Sequence, residues 1–226
     1  MKTKKKLASV VLAAAIAAAA SVPAWATESF DLSVFQGIEG ITAEQQSVKV
    51  DDTMVSGAIV WPTSYLQTAN DEQPVGTVRV YPMVESLQDG DYMAFIFCCY
   101  PEEWTSPLFY EAELDIAGVT HTLETAPSMM DLALSEGARS SVTSPLTRDS
   151  LTMLQSLAEH RDEEIRGRLR GMPDIRQMYT TGSKEDVVME FVLTQEDKDT
   201  LIDFYNRFGM AGGLREDNLR AIFGEE

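Results

Sequence analysis

The chain has 226 residues, and its 36 acidic and 18 basic side chains give a formal net charge of −18 at pH 7. A protein this acidic repels phosphate backbones and anionic lipid headgroups, which disfavours binding to nucleic acid or to a membrane surface. The length is sufficient for one large domain, or two small ones, with an apolar core.

The first 26 residues have the pattern of a cleavable export signal. Four lysines precede the alanine-rich apolar run 7–22, and Ala24-Trp25-Ala26 is a small-x-small cleavage site. We therefore expect export, cleavage before Thr27 and a mature chain made more negative by the loss of those lysines. No later apolar run reaches the length of a membrane span, so the mature chain is predicted to be secreted or extracellular (periplasmic in a cell with an outer membrane), without membrane insertion.

The part of the mature chain before residue 126 is predicted to be rich in strands. Residues 30–33 predict a short edge strand or extended arm, and 65–74 predict a polar loop. Pro82 predicts that its strand lies at an edge or is bulged, because proline cannot donate to a ladder. The predicted strands are 47–52, 53–61, 76–84, 91–101, 108–116 and 119–125.

The segment 91–101, DYMAFIFCCYP, is the most apolar stretch after the leader. Both of its alternating sets of side chains are apolar, so we expect a central strand covered on both faces. Cys98 and Cys99 are the only cysteines, and neighbours on a strand point to opposite faces. They are interpreted as two buried thiols, with a strained vicinal disulfide acting as a redox switch as the alternative.

The segment 108–116 has the alternation of a half-buried strand. Tyr110, Ala112, Leu114 and Ile116 are predicted on one face, and three acids on the other, Glu111, Glu113 and Asp115. The turn at Ala117-Gly118 leads into the next strand. Successive strands at this spacing, with no helix between them, favour antiparallel sheets.

After Pro127 the pattern changes to helices and two further strands. A helix over 146–160 is predicted to begin at a cap on Thr147 or Asp149, and a second over 195–208 at a cap on Thr194. Their predicted apolar faces are Leu151, Leu154, Leu157 and Ala158, and Leu201, Phe204, Tyr205 and Phe208. Strands are predicted at 164–171 and 186–193, and a last helix, 215–223, is predicted to bury Leu219, Ile222 and Phe223.

These elements predict one α+β domain over residues 27–226. Its antiparallel β-sandwich or curved sheet carries two or three helices in the C-terminal part. Two subdomains divided near Pro127 are the alternative interpretation.

Two groups of side chains are candidate binding sites. Tyr100, Glu102, Glu103 and Trp104 combine aromatic rings with acids, as a ligand-binding rim for sugar or peptide does; a hairpin loop pinned by Trp104 is the simpler interpretation. Arg166, Arg168 and Arg170 alternate with smaller or apolar residues, which places three guanidinium groups on one face of a strand. They are interpreted as a face paired with Asp162, Glu163 and Glu164, or as an anion- or partner-recognition stripe.

No catalytic or metal-binding signature is present in the sequence. His121 and His160 lie in different elements, and neither HExxH nor CxxC occurs, so no metal site is assigned. No cofactor is expected; Ca²⁺ at the acidic turns 89–91 or 70–72 is the alternative, although neither has the EF-hand spacing. GxSxG, SxxK and the glycine-rich phosphate-binding patterns are also missing.

Four stretches resemble a loose group of uncharacterised exported proteins of anaerobic Firmicutes. They are DLSVFQG at 31–37, DIAGVTHTL at 115–123, the run 154–171 and the strand-to-helix run 187–213. Many members of that group look like lipoproteins, whereas this chain lacks the lipid-acceptor cysteine. The group has no established activity, so the resemblance implies no site residues.

Three function classes fit these observations. The first is an exported, non-catalytic binding or interaction module for an unidentified protein or glycan. The second is a cell-wall or glycan-directed hydrolase that uses Glu102 or Glu103 with another acid. The third is a structural or assembly component of the cell exterior.

Overall fold

The computed structural model describes residues 30–50, 53–68, 76–87, 90–100, 107–127, 140–173, 178–179, 182 and 185–224. The strands are β1 Ile41–Val50, β2 Thr53–Pro62, β3 Val78–Leu87, β4 Gly90–Cys99, β5 Leu108–Ile116, β6 Val119–Glu124, β7 Ala126–Pro127, β8 Ser140–Pro145, β9 Arg166–Met172 and β10 Val187–Val192. The helices are α1 Thr63–Thr68, α2 Arg148–Glu159, α3 Gln195–Met210 and α4 Glu216–Phe223, with a 3-10 helix at Leu32–Phe35. None of the helices in these ranges has the length and apolar character needed to cross a membrane.

The strands form two antiparallel sheets, which confirms the predicted α+β class. The larger sheet has the order β1-β2-β3-β4-β8-β7, and the smaller has the order β10-β9-β5-β6. Each sheet combines strands from before and after the 128–139 segment, since β8 joins the larger and β9 and β10 join the smaller. The predicted leader, residues 1–26, lies outside the described residues.

Strand β4 is covered on both faces, as its sequence predicts. Met93, Phe95, Phe97 and Cys99 belong to the main core, while Ile96, Cys98 and Tyr100 belong to a second cluster on the opposite face. Both cysteines are fully buried and remain thiols. The vicinal disulfide is therefore not the state that the structure contains.

Strand β3 lies inside the larger sheet, so its prediction as an edge strand is wrong. It pairs with β4 along its whole length, and Pro82 lies opposite Phe95 without interrupting the ladder. On its other side β3 pairs with β2 only from Val84 to Ser86. Pro82 therefore lies outside the part of β3 that pairs with β2. Because proline has no backbone N–H to donate, its place within the sheet requires that no partner strand needs this hydrogen bond.

The main core lies between the two sheets and under two helices. Phe97 of β4 meets Phe191 of β10 edge to face, with ring centroids 6.3 Å apart. Helix α2 adds Met153, Leu154 and Leu157, and helix α3 adds Leu201, Phe204 and Phe208. In α2 the buried positions are spaced three and four apart from Ser150; Ala158, which was predicted on this face, is exposed.

The smaller sheet requires two glycines on the inner face of β9. A Cβ atom at Gly167 would lie 2.2 Å from the ring of Phe191, and one at Gly171 would lie 2.5 Å from the carbonyl oxygen of Leu108. Beside Gly171 the register of β5 shifts between Phe109 and Glu111. This bulge turns Tyr110 outward and Phe109 into the core, so the predicted inward position of Tyr110 is wrong.

Both long helices begin at reciprocal caps. The hydroxyl of Thr147 accepts a hydrogen bond from the backbone of Ser150, whose own hydroxyl accepts from the backbone of Thr147. Thr194 and Asp197 form the same arrangement at the start of α3. These contacts confirm the caps predicted at Thr147 and Thr194, and they satisfy backbone donors that a helix cannot pair internally.

Two predictions at chain turns are wrong. Residues 30–33 do not extend as a strand, because the Asp31 carboxylate accepts from the backbone and hydroxyl of Ser33 and starts the 3-10 helix. Residues 65–68, predicted as loop, continue helix α1; the rest of that predicted loop, 69–74, lies outside the described residues.

The buried residue of helix α4 is polar, and of the three apolar residues predicted to be buried Phe223 packs partly buried against the main core. Asn218 is buried, whereas Leu219, Ile222 and Phe223 are only partly buried. The Asn218 amide accepts from the backbone N–H of Asp91 at 3.2 Å and donates to the Asp91 carbonyl at 3.0 Å. Because β8 pairs with β4 only from Ala94 onward, this amide takes the place of a neighbouring strand at the start of β4.

We predict that Gly167→Ala destabilises the fold by about 1–3 kcal/mol, because its Cβ would overlap the Phe191 ring. Urea unfolding measures the change. The control is the double variant Gly167→Ala/Phe191→Leu, in which the smaller side chain leaves room for the methyl group. A double variant whose loss equals the sum of the two single losses would contradict this explanation.

The pH dependence of stability is expected to include a contribution from Asp91. Burial raises the pKa of this carboxyl, despite the hydrogen bond from Ser86 and the nearby charge of Arg215. A carboxyl whose pKa is raised on folding stabilises the protein most when protonated, so this contribution declines as the pH rises from its ordinary pKa through its raised one. Asp91→Asn should therefore flatten the stability profile over that window and be at least as stable as the parent at pH 7. A thermal-unfolding series from pH 3 to 8 checks this; an unchanged slope would contradict it.

Candidate binding cleft

The predicted rim at 100–104 is described only at its first residue. The Tyr100 ring is 8 % exposed and packs in the second cluster with Ile96 and Cys98. Its backbone bonds to Thr77 and Gly76, with N···O distances of 3.0 and 2.7 Å. Glu102, Glu103 and Trp104 lie outside the described residues, so the rim itself stays a prediction.

The three arginines of β9 lie on one face, as their alternation predicts. Gly167, Leu169 and Gly171 between and beside them are buried, so the guanidinium groups are on the outer face of the smaller sheet. Their partners are mostly not the acids that precede them in sequence. Only Arg166 pairs with such an acid, Glu164 at 2.9 Å.

The other two arginines pair across the sheet with strand β5. Arg168 bonds to Glu113, and Arg170 lies 3.6 Å from Glu111. The hydrogen bond that Arg168 donates to Glu113, then the charge of Glu113 and those of Asp115 and Glu190, raise the pKa of Arg168. The predicted stripe is therefore a ladder of opposite charges, in which two guanidinium groups are already engaged by the protein.

The two histidines lie on different elements of the described structure. His121 lies on β6, while His160 follows α2 and lies 2.8 Å from Glu163. Among the described residues no group of three or more His, Cys, Asp or Glu side chains is arranged to hold a metal. Residues 70–72 and Asp89 fall outside those residues, so the Ca²⁺ alternative there stays a prediction.

A cleft of about 570 Å³ lies between α3 and the adjoining ends of β1 and β2. One wall is built by the turn before β1 and the start of α1, where the Thr63 N–H donates to the Gly40 carbonyl at 2.9 Å. The opposite wall is one face of α3. The lining comprises Glu39, Gly40, Ile41, Pro62, Thr63, Ser64, Glu196, Asp199, Thr200, Asp203 and Phe204.

The polar groups of this cleft are mainly hydrogen-bond acceptors. Four carboxylates line it, together with the hydroxyls of Thr63, Ser64 and Thr200. Ile41, Pro62 and the buried ring of Phe204 add an apolar portion. Helical spacing explains why α3 supplies several of these groups, since residues three and four apart share a face.

Three arginines outside the lining hold the carboxylates of α3. Glu196 accepts from Arg79 at 2.9 Å, Asp199 from Arg161 at 2.8 Å, and Asp203 from Arg207 at 2.7 Å. Each arginine uses one carboxylate oxygen, so the second oxygen of each group retains acceptor capacity. The hydrogen bond from Arg161 also lowers the pKa of Asp199, which keeps this group ionised.

The position of α3 depends on a buried ion pair with β3. Arg79 donates to Asp197 at 2.8 Å, and the Asp197 side chain is only 1 % exposed. Burial opposes the charge of Arg79, but the hydrogen bond and charge of Asp197 outweigh it and raise the pKa of Arg79. Burial in turn raises the pKa of Asp197, against the pull of Arg79 and Thr194.

The carboxylates that line the cleft are more exposed than the buried acids of the fold. Burial raises the pKa of the carboxyls of Asp91 and Asp197, and neither residue lines the cleft. The lining acids are exposed or half-exposed and held by arginines or free to face solvent. Among the described residues, Glu39 is the lining carboxylate without a paired cation, so the cleft presents its negative charge together with the remaining acceptor oxygens of the paired acids.

Comparison of the chain with protein-family models, with curated proteins and with solved structures found no match. The cleft is accordingly interpreted from its own geometry and charge.

We predict that Arg79→Met destabilises the protein by about 3–5 kcal/mol, because it leaves the Asp197 carboxylate buried without its cation. Adding Asp197→Asn should recover part of the loss, since the amide carries no charge. Chemical denaturation of the single and double variants measures both effects. Arg166→Met is the matched control: its ion pair is 74 % exposed on the arginine side, and about 1 kcal/mol or less is expected. Equal losses at Arg79 and Arg166 would refute the assignment.

Proposed function

We propose that the protein is an exported, non-catalytic binding module whose cleft beside α3 takes a small cationic ligand that carries amine groups. The observation that carries the proposal is the lining: four carboxylates and three hydroxyls line the cleft, and the arginines that pair with three of those carboxylates are not part of the lining. An ammonium group donates three hydrogen bonds and brings the opposite charge.

The size of the cleft supports a ligand of small-molecule dimensions. Its volume of about 570 Å³ falls within the range of ordinary ligand sites. The net charge of −18 adds a long-range attraction for cations, which weakens as salt is added. Action outside the cytoplasm rests on the predicted leader.

The carboxylates of α3 are positioned before any ligand arrives. Arg79, Arg161 and Arg207 hold three of them, so their side chains need little further ordering on binding. A site that is ordered in advance binds more tightly, because less conformational entropy is lost. The hydrolase and assembly alternatives stay predictions, since the residues invoked for hydrolysis, Glu102 and Glu103, lie outside the described structure.

We expect spermidine, as a linear amine probe, to raise the melting temperature of the purified mature protein. A ligand that binds only the folded state adds about 2.7 kcal/mol of stability at a concentration a hundredfold above its Kd. Glu39→Gln should weaken binding about three- to tenfold by calorimetry, because it removes a lining charge that no described cation neutralises.

Glu159→Gln is the matched control, because it removes the same charge from the exposed end of α2, where no ion pair of Glu159 occurs among the described residues. It should bind spermidine as the parent does. Equal weakening by the two variants would mean that amines respond to net charge alone, and this would refute the cleft as the site. A glycan probe that shifts the melting temperature while spermidine does not would refute the amine class.

A further inference from the structure

Among the described residues, strand β10 ends the smaller sheet and has one unpaired edge. The sheet order places β9 on one side of β10, and no strand of the described chain pairs with its other side. Its sequence, VVMEFV, contains neither lysine nor proline, and Glu190 is its one charged side chain. The opposite edge strand, β6, is packed by helix α2.

The outer face of this edge has a defined pattern of side chains. Val188 and Val192 are 48 % and 50 % exposed, and Glu190 is exposed between them. Side chains two apart on a strand share a face, so these three form one row along the edge. A strand added here would place its own alternate side chains beside them.

The charges across the sheet alternate up to this edge. The register aligns Glu113 of β5, Arg168 of β9 and Glu190 of β10 in a single cross-strand row. Arg168 bonds to Glu113, while no ion pair of Glu190 occurs among the described residues. The row therefore ends at an acid, and a cation is the group that would continue the alternation.

We propose that the β10 edge binds an extended peptide segment by strand addition, and that the segment carries a lysine or arginine opposite Glu190 with apolar residues two positions away on each side. Backbone hydrogen bonds to the free edge of β10 supply affinity that is independent of sequence. Val188, Glu190 and Val192 supply the preference among segments.

A second copy of this chain is a poor occupant of the same edge. In the two-fold antiparallel arrangement that sets Val188 opposite Val192, Glu190 would face Glu190 of the other copy. Like charges directly opposite each other destabilise a strand pair. The strongly acidic chain also repels its own copies and attracts a basic segment.

The test uses a short capped peptide with lysine at its centre, valine two positions away on each side and threonine elsewhere. On titration into the isotope-labelled mature protein, we expect the backbone amide signals of 187–192 to shift and their hydrogen exchange to slow. The same peptide with alternate amides N-methylated on one edge keeps its side chains but cannot form the ladder, so its binding should be lost.

Charge reversal separates recognition at Glu190 from general attraction. Glu190→Lys should weaken the lysine-centred peptide about fivefold and strengthen a glutamate-centred peptide by a similar factor. Glu159→Lys, an equal change at the exposed end of α2, should alter neither.

Several results would overturn the proposal. One is the absence of any change at 187–192 up to millimolar peptide. Others are equal binding of the N-methylated peptide, and signal shifts confined to α3 and the cleft, which would assign the basic peptide to the cleft instead. Protection of β10 that rises with protein concentration in the absence of peptide would assign the edge to a second copy.

Discussion

The structure depends on a strand that is apolar on both faces. The side chains of β4 that belong to the main core lie on one face, and Ile96 and Cys98 lie on the other. Burying the strand therefore requires apolar contacts on both of its faces. The smaller sheet with α2 and α3 covers one face, and the second cluster occupies the other. Because β4 is central in the larger sheet, the elements that carry candidate sites are positioned relative to it: β3 pairs with it and holds α3 through Arg79.

Arg79 connects this buried framework to the surface. It bonds both to Asp197, which caps α3, and to Glu196, which lines the cleft. A single guanidinium group thus fixes the start of the helix and orients the first acid of the binding wall. A buried ion pair contributes little net stability when compared with apolar packing, but it specifies which residues lie next to each other. Here the pairs of Arg79 with Asp197 and Glu196 fix the position of α3 relative to β3 and so place the acids of α3 in the cleft.

Local patterns predicted more of the fold than of the candidate site. The two helix caps, the apolar faces of β4 and the outward arginines follow from neighbours in sequence, and all were predicted. Tyr110 was not, because the bulge beside it arises from the close approach of Gly171, some 60 residues later in the chain. The cleft was missed for the same reason: Glu39 and Asp203 are brought together only by packing, and neither belongs to a motif. Gly171 was the available signal for the bulge, and the spacing of the acids in α3 was the available signal for the cleft. Neither can be interpreted until the packing partners of β9 and α3 are known.

Cys98 and Cys99 place one thiol on each face of the central strand, so that each thiol can report on the packing of one face. The thiols are adjacent in sequence, yet one belongs to the main core and the other to the second cluster. No other cysteine occurs in the chain. The rate at which each thiol becomes accessible to an alkylating reagent would therefore measure the opening free energy of a different layer, separated by the thickness of one strand. Layers that open together would yield the same value at both positions, and layers that open independently would yield two.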